Sequence, residues 1–513
     1  MSRLSFTLPL AAYPGMAPFV LDWLSGRERA TRFLPRATSA DLRAVRPAQA
    51  TAPLVSALIQ LNRQWGIDVE DEVRGWAAGE RVALIAGQQV GFGGGPLYTL
   101  AKIATLLKMK KQLEQEGRRS IVFFWLATED HDFDEIAQLT LSRALLPRSS
   151  FGPERLDLLT IRGRARRDPR APVGPLEIPE DLIAELLAAE RAAERPPWLR
   201  RGITFRDSFA ELIAAAVREK IVLIDALLPE LREAGATLFE RVVDRFDAID
   251  QRMRQTAQDL EQAGYVPQIE AREDGRYTLL YRMVDGERRL MTGPEGIGSP
   301  SNISTSAITR PLLQDFLFAP AVFVGGPAEV SYCAQIRPLY RLLDVQPSAV
   351  ALRGHALVAP RRTARLFERF QIAPGQAFSD PDVIAAEGQD DGAQAIRRIA
   401  ASAREQLSDS LTRIGEIALP AEHSLARSIT RSIGHIEYHF NKLTERSLLA
   451  LARQDRGRYD AAQEIAATFY PARTVQDRVV GWLPFWCRYG ERLIERLVEE
   501  IEPDSSVFKI VGL

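Results

Sequence analysis

Arg81-Val-Ala-Leu-Ile-Ala-Gly87-Gln88-Gln89-Val-Gly91-Phe-Gly93-Gly94-Gly95-Pro96 decides the fold: a short apolar run breaks into glycine and restarts at a proline, which the first turn of a helix tolerates. The spacing predicts a helix from Pro96 to about Glu116, with Leu100, Ile103 and Leu107, then Leu106, Met109 and Leu113, recurring every three or four residues. Lys102, Lys108, Lys110 and Lys111 are expected to face water, and Gly117 to stop the helix. Ser120-Ile-Val-Phe-Phe-Trp-Leu-Ala127 follows, apolar without alternation, as a parallel strand covered on both faces must be. The three pieces make a β-α-β unit.

A second unit of the same design lies downstream. Ala321-Val-Phe-Val-Gly325-Gly326-Pro327-Ala-Glu329 again places Gly-Gly-Pro between an apolar strand and a helix, and Ile221-Val-Leu-Ile-Asp225 supplies a further strand. Two such units are expected to be halves of one doubly wound parallel sheet, an α/β, Rossmann-like core. Around it, residues 1–147 read as an N-terminal approach and the first half of the core, anchored by Trp23, Trp65 and Trp76. Residues 148–205, rich in arginine and proline, read as a surface insertion or linker, and 206–380 as the second half of the core. Within that half, one long helix is expected from Pro229 to Ala263, turns over 271–310, and a mobile lid or polar loop in the Gly/Ser/Thr-rich stretch Thr292 to Ser306. Residues 381–465 carry Ile396, Ala403, Leu407, Ile414 and Ile417, then Leu425, Ile429, Ile433, Ile436, Phe440 and Leu443, divided at Leu419-Pro420. That pattern fits a helical hairpin whose apolar seam is covered by the body or by a second subunit. Residues 466–513 return to aromatic, core-like sequence.

The chain has 513 residues, too many for one compact core. Its 66 lysines and arginines nearly match 67 aspartates and glutamates, so no global charge draws it to nucleic acid or an anionic membrane. Two cysteines argue against a disulfide framework and for a reducing compartment, the cytoplasm by default. No apolar run approaches the ~18 residues that a membrane helix needs. Pro9 and Pro14 interrupt the short apolar start, so no signal peptide is expected.

The chemistry gathers at the two strand ends. The loop from Gly87 to Pro96 lacks the Gly-Lys-Ser/Thr of a P-loop, and Pro96 occupies the place of the third glycine in the dinucleotide fingerprint. Consecutive glycines at a helix start still offer N–H groups beside the positive end of the helix dipole, which suits phosphate or carboxylate; the alternative is a tight turn with close packing. Gly87, Gly91, Gly94 and Gly95 are the candidates for binding, with Gln88 and Gln89 orienting the ligand. Glu129-Asp130-His131-Asp132 sets one imidazole among carboxylates, so His131 can serve as general acid, base or electrostatic partner. Magnesium held by Glu129, Asp130 or Asp132 beside a nucleotide is equally sensible chemistry, and an acidic first helical turn is the plain alternative. The glycine turn and the histidine cluster are expected to form two walls of one pocket. His435 and His439 stand one helical turn apart without a third ligand, so no metal site is assigned there.

Four segments in order, Gly87 to Tyr98, Phe124 to Phe133, Ser304 to Asp315 and Val324 to Tyr332, with the closing Gln476-Asp-Arg478, resemble the bacillithiol-biosynthesis cysteine-adding enzyme family, BshC. The resemblance spans nearly the whole chain. It implies a Rossmann-like core related to nucleotidyltransferases, connecting insertions, and a coiled-coil arm that helps form a homodimer. It further implies a ligase that joins the carboxyl of cysteine to the amine of glucosaminyl-malate, the last step of bacillithiol synthesis. Amide formation from a carboxylate at neutral pH needs an activated acyl group, so ATP is expected to activate the carboxyl as an acyl adenylate or acyl phosphate. In that scheme His131 assists proton transfer while Asp130 or Asp132 fixes its tautomer. Ser304, Thr305, Gly325 and Gly326 join the binding residues, Glu329 takes the amine of one substrate, and Arg310 and Arg337 take malate or phosphate. Rival readings are a metal-dependent hydrolase using the Glu129 to Asp132 carboxylates, and a non-catalytic dimeric scaffold.

Overall fold

The computed structural model describes residues 4–142, 158–163, 170–386, 391–418 and 425–513. Val82–Gln88 (β1) and Ser120–Leu126 (β2) are joined by the helix Leu97–Gln115 (α1), and both strands are buried on each face. They pair in parallel from Val82 opposite Ser120 to Gln88 opposite Leu126. Gly117, at φ +73°, ends α1: its N–H bonds the Glu114 carbonyl, and Arg118 N–H bonds that of Leu113, the paired closure that a left-handed glycine permits.

Val222–Asp225 (β3) then pairs with β2. After the helix Thr309–Phe318 (α2) come Val322–Gly325 (β4), the helix Pro327–Leu342 (α3) and Ala349–Leu352 (β5). The five strands are all parallel, in the order β5-β4-β1-β2-β3. The two Gly-Gly-Pro units therefore share one Rossmann-like sheet, and β1 and β4, from opposite halves, lie side by side. That junction is where the winding reverses.

Two expectations need correcting. The run from Pro229 to Ala263 is three consecutive helices, Pro229–Ala234, Ala236–Asp244 and Phe246–Gln262. At the first break, a Cβ on Gly235 would lie 2.6 Å from Leu313 of α2, so the backbone is packed too closely for a side chain. The described part of 148–205 is core, with Val173, Ile183, Leu199 and Ile203 buried and Leu158–Arg162 paired antiparallel with Gln138–Ser142. Over 271–310 the strand Leu280–Val284 pairs with Glu287–Leu290 and with Ile303–Thr305 in a small antiparallel sheet, and the stretch from Thr292 runs as loop and a 3-10 turn, Pro300–Asn302, before entering that last strand. Trp23, Trp65 and Trp76 are buried, as anchors should be.

The chain forms two compact units, the larger mainly Phe6–Val358 with Val475–Val511, the smaller mainly Ala359–Thr474. In the smaller, the helices Asp391–Ala418 (α4) and Leu425–Ala452 (α5) pack together, with Arg404 Nη2 donating to Asn441 Oδ1 at 2.7 Å across the pair. The division at Leu419-Pro420 lies outside the described residues, as does His423. Among the described residues, no helix is long and apolar enough to cross a membrane.

Candidate functional site

A cavity of about 480 Å³ opens where β1 and β4 end, at the reversal of winding. Gly87 to Gln89 form one side and Gly326 to Glu329 the other; Tyr98 and Lys102 of α1 contribute as well, and Trp125 closes the β2 side. Three guanidinium groups reach it, from Arg310 on α2, Arg353 just beyond β5, and Arg478 near the C-terminus.

Lys102 is the centre of this arrangement. Its ammonium is buried, donating to Gly87 O at 2.8 Å and Gln88 Oε1 at 3.1 Å, and lies 2.6 Å from Glu329 Oε2. Burial pulls it below the ordinary lysine range, and Glu329 works against that pull. The same carboxylate oxygen accepts the Gly326 N–H at 2.7 Å, so the N-terminal turn of α3 and the middle of α1 are fastened through one group. Glu329 Oε1 accepts no hydrogen bond among the described residues.

The cations are unequally satisfied. Arg353 is held by Asp477 at 2.9 Å, and Asp477 also receives the Tyr13 hydroxyl. Arg310 has only neutral partners, Tyr332 OH at 2.7 Å and Gln314 Oε1 at 3.1 Å. Among the described residues no carboxylate pairs with Arg310 or Arg478, and the buried indole N–H of Trp125 has no acceptor. A wall with two guanidiniums outside any direct ion pair among the described residues and a spare N–H donor suits an anion carrying several oxygens.

The glycine turn is largely committed to the fold. Gly94 (φ +85°) leaves so little room that a Cβ would stand 2.4 Å from the Trp482 ring, whose Nε1 donates to Gly94 O at 2.8 Å. The N–H groups of Gly91, Gly94 and Gly95 are spent on the carbonyls of Gln89, Gly91 and Phe92. Gly91 and Gly95 instead line a second cavity of about 180 Å³, next to the first.

His131 is on the wall of neither of these two cavities. Its Nδ1 lies 2.9 Å from Arg288 Nη1 and 3.5 Å from Asp130 Oδ1, while Asp130 Oδ2 accepts from Gln89 Nε2 at 2.6 Å. Asp132 caps the short helix Phe133–Ile136 through Glu135 N–H. Glu129 is buried and bonded to Ser304 Oγ at 2.7 Å, Thr305 N at 3.0 Å and Thr305 Oγ1, so those three residues clasp the small antiparallel sheet to the core. Gly325 ends β4 beneath Gly326, and Arg337 lies away from the main cavity, donating to Ser348 O at 3.3 Å. Among the described residues, no three His, Cys, Asp or Glu side chains are grouped so as to hold a metal ion.

Sequence reasoning missed Lys102, placed in water when it is buried, along with Tyr98, Trp125, Arg353 and Arg478. The signal for Lys102 was present: it stands four residues before Leu106 and seven before Met109, on their apolar stripe.

Comparison with known proteins agrees with this architecture. Residues 17–298 and 294–354 match the family model "Bacillithiol biosynthesis BshC, N-terminal Rossmann-like domain", and residues 356–513 match "Bacillithiol biosynthesis BshC, C-terminal coiled-coil domain". A protein of Solibacter usitatus is 26% identical over 457 residues, 84% of this chain and 84% of its own length. One of Koribacter versatilis is 25% identical over 98% of this chain and 99% of its own, and one of Salinibacter ruber 24% identical over 100% and 99%. All three bear the name "Putative cysteine ligase BshC".

Proposed function

The chain belongs to the bacillithiol biosynthesis BshC family, and from that premise we propose that it is a ligase forming an amide between the carboxyl of cysteine and the amine of glucosaminyl-malate. The observation that carries this reading is the cavity at the β1/β4 junction, where among the described residues Arg310 and Arg478 have no carboxylate partner and the Trp125 N–H has no acceptor. Both substrates are carboxylates. Arg353, fixed by Asp477, and Arg310 offer forked donors for them, and the free Oε1 of Glu329 can take the ammonium of cysteine.

Amide formation from a carboxylate at neutral pH requires an activated acyl group. ATP fits the cavity on charge, with Arg310 and Arg478 as the groups that would hold its phosphates; when bound it supplies a leaving group for the carboxyl oxygen. The protein's own part is to hold the two substrates together, keep the acyl carbon beside the amine, and accept the proton that the amine loses. That places the chemistry at Lys102, Glu329 and the guanidiniums; His131 acts at one remove, through Asp130 and Gln89.

The test is incubation of the purified chain with cysteine, glucosaminyl-malate and ATP, with mass spectrometry for the cysteinyl amide. Arg310→Met is expected to lower kcat/KM by about a hundredfold, equivalent to the loss of a hydrogen bond to a charged group. Absence of product from the wild-type protein, or full activity in Arg310→Met, overturns the assignment.

A further inference from the structure

The second cavity shares Gln88, Gln89, Tyr98, Glu135 and Arg478 with the main one, so the two are neighbours across a common partition. Their chemistry differs. The main cavity gathers Lys102 and three arginines; the second, with Arg478 as its cation, sets the amides of Gln89 and Gln138, the hydroxyls of Tyr98 and Thr140 and the Glu135 carboxyl among the apolar side chains of Pro96, Ile136, Leu139 and Val479. Amide and hydroxyl groups present donors and acceptors together, which is how a polyol is held. Gly91 and Gly95 leave that wall without side chains, so a ring can approach the backbone.

Gln89 gives the cavity its direction. Its Nε2 donates at 2.6 Å to Asp130 Oδ2, and an ionised carboxylate is acceptor only, so the amide cannot turn over without facing oxygen to oxygen. Oε1 is thereby held as an acceptor, and it is buried with no donor among the described residues. Glu135 stands on the same wall, its carboxylate hydrogen-bonded to the Gln89 side chain and keeping further acceptor capacity. Two acceptors in a site of neutral hydrogen-bonding groups fit a hydroxylated ring bearing an amine.

We propose that this cavity is the seat of the amino-sugar ring of the acceptor substrate, with Gln89 Oε1 and Glu135 receiving its amine, while the attached dicarboxylate crosses the partition to the arginines of the main cavity. The inference rests on the ligase reading given above. It makes Gln89 and Glu135 specificity residues for the amine, and Asp130 the positioning residue that orients Gln89.

The experiment is ligand-observed NMR on the full chain, with D-glucosamine, N-acetyl-D-glucosamine and malate as separate probes. Glucosamine is expected to bind the wild-type protein at least tenfold more tightly than its N-acetyl derivative. Gln89→Met and Glu135→Gln are each expected to weaken glucosamine at least tenfold and to leave malate within twofold. Should Gln89→Met lose malate as well, its fold is compromised and the near-isosteric Glu135→Gln decides. Equal binding of the two sugars, or glucosamine binding indifferent to Glu135→Gln, overturns the subsite even where the wild-type protein forms the amide. Glucosamine binding that depends on both residues in a protein that forms no amide leaves the subsite standing and removes the ligase reading.

Discussion

Lys102 shows how one buried charge organises a site. Its ammonium ties the end of β1, through Gly87 O and Gln88, to the start of α3, through Glu329, and so fixes the two sides of the cavity relative to each other. Glu329→Gln keeps the shape but leaves that ammonium buried without its counter-ion, an expected loss of about 3 kcal/mol in denaturant unfolding near neutral pH. The pH dependence has a definite sign. With a folded-state pKa already below the ordinary lysine value of 10.5, the unfolded chain binds more protons in the window between the two, so stability rises with pH there. Removing Glu329 lowers the folded value further and widens the window, so the deficit of the variant shrinks as pH climbs toward 10.5. A deficit unchanged from neutral to alkaline pH would show that the lysine is not charged in the fold. The sequence concealed this residue because four lysines in one helix read alike as solvated, and only the stripe shared with Leu106 and Met109 separates Lys102 from its neighbours.

At the scale of elements, the strand-glycine-helix pattern was legible because each part has one physical meaning: buried parallel strands read as unbroken apolar runs, and Gly117 reads as a helix stop. The position of the site was only half legible. Adjacency in sequence suggested that the glycine turn and the His131 cluster face each other, whereas the winding order puts β4 beside β1 and draws the cavity toward the second Gly-Gly-Pro. The close packing at Gly235 could not be read either, since the side chain that leaves no room for a Cβ there is Leu313, far away in the chain. The glycine turn itself serves mainly to pack. Gly94→Ala adds a methyl group where the Trp482 ring stands 2.4 Å away, at a φ of +85° that alanine resists. Overpacking together with the left-handed backbone is expected to cost about 3 kcal/mol. A melting temperature equal to wild type would mean that the turn yields freely and that its glycines are kept for another reason.

At the scale of the whole molecule, the two long helices of the smaller unit carry most of the exposed large hydrophobic side chains among the described residues. Ile399, Ile414 and Ile417 on α4 are 69%, 53% and 80% exposed, and Ile436 and Leu443 on α5 are 41% and 62% exposed. At roughly 100° per residue, the three on α4 fall within about 60° of one another, and the two on α5 within about 20°. Scattered apolar residues on a surface call for no explanation, but an aligned stripe on each of two packed helices leaves a seam that water disfavours. A second copy of the same pair is the expected cover, because an isologous dimer buries the stripe of each copy against its twin and leaves no unpaired face. The wild-type chain is therefore expected to sediment as a dimer. Ile399→Glu combined with Leu443→Glu should shift it to monomer, at unchanged helix content by circular dichroism, since both side chains point to solvent within one copy. A monomeric wild-type chain, or a double variant that remains dimeric, would assign the seam to something other than self-association.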